Sequence, residues 1–195
     1  MKHLVIPVVV VAMLAGCASD PGRRERIIKE QSDRLAPPTA PLSSYARFEL
    51  KPLAMVESVA NDEAKAAVAK DLERRMQERM QPVFARWNAD AGNGAASAST
   101  LIVQPRVTRL RVISGANRAF AGAWAGESSI AMDLELRDAG TGAVVASPSI
   151  ARSANAVAGA WSFGATDQNL LNYIADIALQ YLQEHRGDKP RAEKP

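Results

Sequence analysis

The sequence predicts an α+β domain of two layers, with two helices packed on one face of an antiparallel sheet in the order β-α-β-β-β-α. Three observations carry this. Apolar residues recur at helical spacing from Ala64 to Met80 and again from Leu170 to Tyr181. Ile130, Met132, Leu134 and Leu136 alternate with Ala131, Asp133, Glu135 and Arg137, which is the period of a half-buried strand. The turn sequence DAGTG, residues 138–142, then separates two apolar runs, as in a hairpin.

The elements follow in order from Tyr45. Phe48 and Leu50 alternate and Pro52 comes soon after, which suits a strand at a sheet edge. Asn61 is placed to cap the first helix, with Asp62 and Glu63 in its first turn. Ala64, Val68, Leu72, Met76 and Met80 make its apolar stripe, and Pro82 is expected to kink or end it. Val83, Phe84 and Trp87 nevertheless continue the pattern. Residues 88–99 are rich in Gly, Ala, Ser and Asn and predict a loop. In the next strand Leu101, Val103 and Val107 have one parity and Leu110 and Val112 the other, so a bulge is expected near Thr108. The hairpin that follows turns at Gly142, and pairing Leu136 with Val144 keeps its apolar faces together. Thr166 or Asp167 caps the last helix, and Gly187 ends it.

The residues before Tyr45 predict location. Lys2 precedes an apolar run from Leu4 to Leu14, and Ala15 and Gly16 then supply small residues before Cys17, the only cysteine. That is the layout of a secretory signal, and the run is too short for the roughly 20 residues of a spanning helix. LAGC, residues 14–17, resembles the lipobox of bacterial lipoproteins, in which the chain is cut before the cysteine and acylated on it. By the same lipoprotein pattern, Ala18 rather than Asp after the cysteine directs the protein to the outer membrane, with the domain facing the periplasm. The expected organisation is a signal peptide at 1–16, a lipidated N-terminus and flexible tether at 17–44, one domain at 45–187 and a disordered tail at 188–195. Pro37, Pro38 and Pro41 exclude a regular helix late in the tether.

Composition excludes much chemistry. Without the signal the formal charge falls from +3 to +2, because Lys2 is lost, and that bias does not imply nucleic acid. Of the two histidines, His3 leaves with the signal and His185 sits in the last helical turn, where a cation complements the helix dipole. Cys and His are too few for a metal site of those ligands. No catalytic residue, metal or cofactor is expected, and the domain reads as non-enzymatic. Asp133 and Glu135 share a strand face at about 7 Å, which suits an acid/base pair, but Arg137 follows and marks a solvated charged face. GTGAVV and GAWAGES lack the residues of dinucleotide and phosphate loops.

Two clusters remain as candidate sites. Arg106, Arg109, Arg111 and Arg118 form a run without an acid and suit an anionic envelope polymer such as lipopolysaccharide. The tetrapeptide AGAW occurs at 121–124 and again at 158–161. Around these copies gather Phe120, Gly122, Trp124, Gly126, Gly159, Trp161 and Phe163, including four of the ten aromatics. They suit either a core layer or a patch for another envelope protein, the membrane surface or self-association.

The stretches LAGC, FARWNA, VQPRVTRLR, NRAFAGAWAGESS, DAGTGAVVASPSI and ANAVAGAWSFGATD resemble an uncharacterised family of Gram-negative lipoproteins built on a domain of unknown function. That resemblance implies an envelope lipoprotein with a small α/β domain and no catalytic residues. In element order alone the chain is also similar to the periplasmic domains of secretion-channel lipoproteins such as the curli exporter. The function expected is an outer-membrane-anchored binding or scaffolding module. The alternatives are a subunit of an oligomeric envelope assembly or channel, and an enzyme acting on an envelope polymer.

Overall fold

A computed structural model describes residues 21–91, 99–111, 128–153 and 165–187. It shows helices against one face of a six-stranded sheet, an α+β arrangement of two layers. The helices among these residues are α1 (Pro21–Asp33), α2 (Glu57–Ala60), α3 (Glu63–Asp90) and α4 (Ala165–Arg186). The strands are β1 (Arg47–Leu50), β2 (Ala54–Met55), β3 (Thr100–Arg111), β4 (Ser129–Asp138), β5 (Val144–Ala146) and β6 (Ser149–Ser153).

The sheet is mixed rather than antiparallel. β1 and β2 lie parallel to β3, β3 is antiparallel to β4, and β5 and β6 pair antiparallel with β4. The reason lies in the connection. α3 carries the chain back along the sheet before β3 begins, and a helical crossover delivers a parallel strand where a tight hairpin delivers an antiparallel one. Gly142 takes positive φ (72°) in the hairpin between β4 and β5, as its position in DAGTG predicts. That turn is tied further by Asp138, whose carboxylate accepts from the Thr141 N–H at 2.7 Å.

The bulge falls at Thr108. Val107 pairs with Met132 and Arg109 with Ala131, so Thr108 is the extra residue and the strand changes parity there. Leu101, Val103, Val107 and Leu110 thereby all reach the helix layer. The β4–β5 register differs from the expected one. Leu136 faces Ala146 instead of Val144, and Met132 faces Ile150, a slip of two positions with an irregularity between Leu136 and Arg137. A slip of two leaves every side chain on its own face, so the burial pattern alone did not discriminate between the registers.

The long α3 begins one residue later than expected. Residues Glu57–Ala60 form their own helical turn, for which Asn61 is the C-cap, and Asp62 therefore caps α3 by accepting from the Lys65 N–H at 3.1 Å. Its buried stripe is Ala69, Leu72, Met76, Met80, Phe84 and Trp87. Pro82 does not end the helix, which runs on to Asp90. Pro82 is exposed, so the carbonyl it leaves unbonded in the preceding turn is on the solvent side, where water can satisfy it. Asn88 closes the layer. Its side chain accepts from the Phe48 N–H (2.8 Å) and donates to the Phe48 carbonyl (3.1 Å), standing in for a neighbouring strand at β1.

The segment expected to be a flexible tether is largely part of the fold. Pro21 opens α1, where its missing N–H costs nothing, and a run of good helix formers follows. An isolated helix of 13 residues is marginal in water, so docking decides. Ile27 and Ile28 pack on the core, and Ser32 is buried. The proline-rich stretch after α1 is then pinned to the β5 side of the sheet. Thr39 donates its N–H to the Val145 carbonyl at 2.9 Å, the Tyr181 hydroxyl donates to the Ala36 carbonyl at 2.9 Å, and Leu42 is fully buried. Scattered apolar residues sufficed because Ile27, Ile28, Leu35, Ala40 and Leu42 each pack on the core, which composition does not reveal.

Candidate interaction surfaces

Among the described residues the helices cover one face of the sheet, and no helix lies on the other. On the covered side lie Leu101, Val103, Val107, Ile130, Met132, Leu134 and Leu136, all buried. On the other lie Ile102, Gln104, Arg106, Arg109, Arg111, Ala131, Asp133, Glu135 and Arg137, exposed or half-buried. Arg106, Arg109 and Arg111 thus share the uncovered face, as the strand parity after the bulge requires. Asp133 stands opposite Arg106 in the register, yet none of the three arginines forms an ion pair among the described residues. Glu135 is engaged by Arg137 at 3.1 Å, so the carboxylates of β4 belong to a charged face.

The fourth arginine of that run, Arg118, lies outside the described residues. So do Cys17 and all seven residues of the glycine-aromatic cluster: Phe120, Gly122, Trp124, Gly126, Gly159, Trp161 and Phe163. The strand ends that lead into this cluster are described. Arg111 faces Ser129, and Ser129 faces Ser153, so the end of β3, the start of β4 and the end of β6 lie side by side at one end of the sheet.

A second polar feature joins the helices. Asp176 of α4 accepts from Arg79 of α3 at 2.6 Å and from Arg24 of α1. Asn172, one turn earlier, accepts from Arg75 at 2.6 Å and from Arg79 at 2.7 Å. Arg75 also donates to Asp71 at 3.0 and 3.1 Å and to Gln168. Burial opposes ionisation of Asp71, but the hydrogen bonds from Arg74 and Arg75 win and hold its carboxyl below the ordinary value. At the far end of α1, Ser32 donates to Glu184 and Lys29 lies 3.6 Å from the same carboxylate. These pairs advance together along the chain, so α1, α3 and α4 run parallel.

Arg152 is the feature that the sequence reading missed. It points inward from β6, is 8% exposed, and lies 5.2 Å from the centroid of the Tyr173 ring. Arg24 approaches the same ring at 5.0 Å, so one tyrosine receives two guanidinium groups. Burial lowers the pKa of Arg152, against a smaller opposing effect of Tyr173. The signal was present: Arg152 has the parity of the buried Ile150. His185, expected as a cation, is instead packed edge-on to Tyr181 at 4.5 Å, and burial lowers its pKa. The cation at that helix end is Arg186, stacked 4.7 Å over Trp87 and 5.7 Å over Phe48.

A family model described as a domain of unknown function (DUF4410) matches residues 49–159, more than half of the chain. The chain belongs to the DUF4410 family. The matched DUF4410 segment holds α3 and most of the sheet but neither α1 nor α4. Among solved structures, the chain is similar to the PelC dodecamer from Paraburkholderia phytofirmans at 18% identity and a TM-score of 0.42, over 77% of this chain and 95% of that one. It is also similar to a protein described as a candidate lipoprotein from Caulobacter crescentus CB15, at 15% identity and a TM-score of 0.34, over 75% and 90%. No curated protein matches the chain.

Proposed function

We propose that this DUF4410 protein is an outer-membrane lipoprotein whose domain is a non-enzymatic module, binding an anionic envelope polymer on the uncovered face of its sheet. The observation that carries the binding is the exposed row of Arg106, Arg109 and Arg111, without ion pairs among the described residues. A sheet face left open by its helices is a ready platform, and guanidinium groups in a row match repeated phosphate or carboxylate groups. The polar seam between the helices supports the non-enzymatic part. Asp176, Asn172 and Asp71 already accept from arginines that pack the fold together, so their hydrogen bonds serve structure. The anchor rests on Cys17, which follows a short apolar run and two small residues. Among the described residues no helix is long and apolar enough to cross a membrane.

Two measurements test this. Cys17→Ala should move the protein from the membrane fraction to the soluble one, and retention in the membrane would refute the anchor. The unlipidated domain is expected to bind purified lipopolysaccharide with an affinity that falls as salt rises. Replacing Arg106, Arg109 and Arg111 together by Gln should abolish that binding while leaving the thermal midpoint within a few degrees. Equal binding by the triple variant would overturn the assignment of the face.

A further inference from the structure

The bulge at Thr108 decides more than the burial of β3. Arg109 and Arg111 have the parity of the buried Val103 and Val107, so an unbroken strand would turn them toward the helices. The extra residue reverses the phase, and Arg106, Arg109 and Arg111 emerge together on the opposite face. On β4 they stand opposite Asp133, Ala131 and Ser129. Those partners are two residues apart, so the three arginines leave β3 at even steps of about 7 Å.

The register carries each step on to β6. Asp133 faces Ser149, Ala131 faces Ala151 and Ser129 faces Ser153. Three rows therefore cross one face: Arg106 with Asp133 and Ser149, Arg109 with Ala131 and Ala151, and Arg111 with Ser129 and Ser153. β3 supplies the cations, and β4 and β6 supply a shelf beside them that is two strands wide. Apart from Asp133 the shelf is built of Ala and Ser, all exposed or half-buried. A ligand can lie close to the backbone there, and the serine hydroxyls both donate and accept hydrogen bonds.

Asp133 breaks the pattern. It repels the anion that Arg106 attracts, so Arg109 and Arg111, beside the neutral part of the shelf, form the strong end of the row. A compact phosphate group would use one or two guanidinium groups and nothing of the shelf. A linear chain of hydroxylated rings that carry carboxylates uses both, because the acids match the arginines and the rings match the small, hydroxyl-bearing floor.

We infer that the ligand of this face is an acidic polysaccharide, which lies on the shelf of Ser129, Ala131, Ala151 and Ser153 with its carboxylates on Arg109 and Arg111. The inference rests on the anion-binding reading above and names the class of polymer for that face.

Isothermal titration of the full-length protein in neutral detergent micelles tests it with three probes: octagalacturonate, monomeric galacturonate, and an inorganic polyphosphate of eight units, which carries charge without sugar. Octagalacturonate is expected to bind at least tenfold more tightly than the monomer. Arg109→Gln or Arg111→Gln should weaken it at least fivefold, and Arg106→Gln by no more than twofold. Asp133→Asn should tighten it about threefold, which the loss of a merely structural residue would not do. Ala131→Ile with Ala151→Ile keeps the charge and suits a strand, but fills the shelf. That double variant should weaken octagalacturonate at least fivefold and leave polyphosphate within twofold. Ala151→Ile alone, at an exposed position, should act in the same direction and serves if the double variant does not fold. Equal effects of the filled shelf on both probes, in protein with an unchanged thermal midpoint, would overturn the inference. So would equal affinity for monomer and octamer. Arginine-dependent binding of polyphosphate without binding of octagalacturonate would overturn the polysaccharide and leave the anionic reading standing. Binding of neither would overturn both.

Discussion

Replacing Asp176 by Asn tests how the three helices are held together. The carboxylate accepts from Arg79 at 2.6 Å, where the two side chains are 25% and 21% exposed, and from Arg24, which is 40% exposed. A charge-assisted hydrogen bond contributes roughly 1.5–3 kcal/mol, and partial exposure places the Arg79 pair near the lower end. The Arg24 pair is more than a third exposed and contributes about 0.5 kcal/mol after screening. Asn keeps the shape and one acceptor, so the expected loss is about 1.5 kcal/mol in urea denaturation at unchanged m-value. Arg24→Ala alone should cost only a few tenths more than the surface-pair figure, since its contact with Tyr173 is lost as well. Added to Asp176→Asn, it should cost less than it does alone, because the shared partner is already gone. The outcome that would refute the seam as a structural device is full additivity, or no change in midpoint for Asp176→Asn.

Other perturbations address the core, the cap and pH. Met76→Ala, at a side chain 1% exposed under the sheet, should cost about 2–5 kcal/mol and lower the thermal midpoint by roughly 4–20 °C. Asp62→Ala removes the cap of α3 and should cost about 1 kcal/mol, while Asn61→Ala should cost less than half of that. Burial pushes the Tyr181 pKa up to about 12, above its unfolded value of 10.0. The neutral phenol is then favoured in the fold. Its stabilisation is present in full below pH 10 and disappears as pH rises toward about 12, by on the order of 2–3 kcal/mol. Tyr181→Phe should flatten that part of a stability–pH curve, and an unchanged alkaline slope would show that other groups cause it.

The local patterns in the chain announced most of the sheet and both long helices. The break of parity between Val107 and Leu110 placed the bulge, since a period of two cannot bury both residues without an extra one. Gly142 placed the hairpin, and the row of Arg106, Arg109 and Arg111 was visible as an acid-free run. Register, strand direction and docking were not legible in this way. A slip of two between β4 and β5 conserves every face, and parallel pairing of β1 with β3 depends on where α3 returns the chain. Arg152 carries a charge that a pattern reading assigns to solvent, although its parity with Ile150 placed it inside.

What the sequence determined by itself is therefore local: which residues alternate, where a helix is capped, where a turn admits positive φ, and which thiol follows an apolar leader. These are preferences of a few consecutive residues, and they act before any distant contact forms. The tertiary structure alone decided that residues 21–33 are a helix rather than a leash, because Arg24, Ile27, Ile28 and Ser32 become worth ordering only against Asp176, Tyr173 and Glu184, some 150 positions away. Docking free energy of that kind is shared between two surfaces, and only one of them is present in the local sequence.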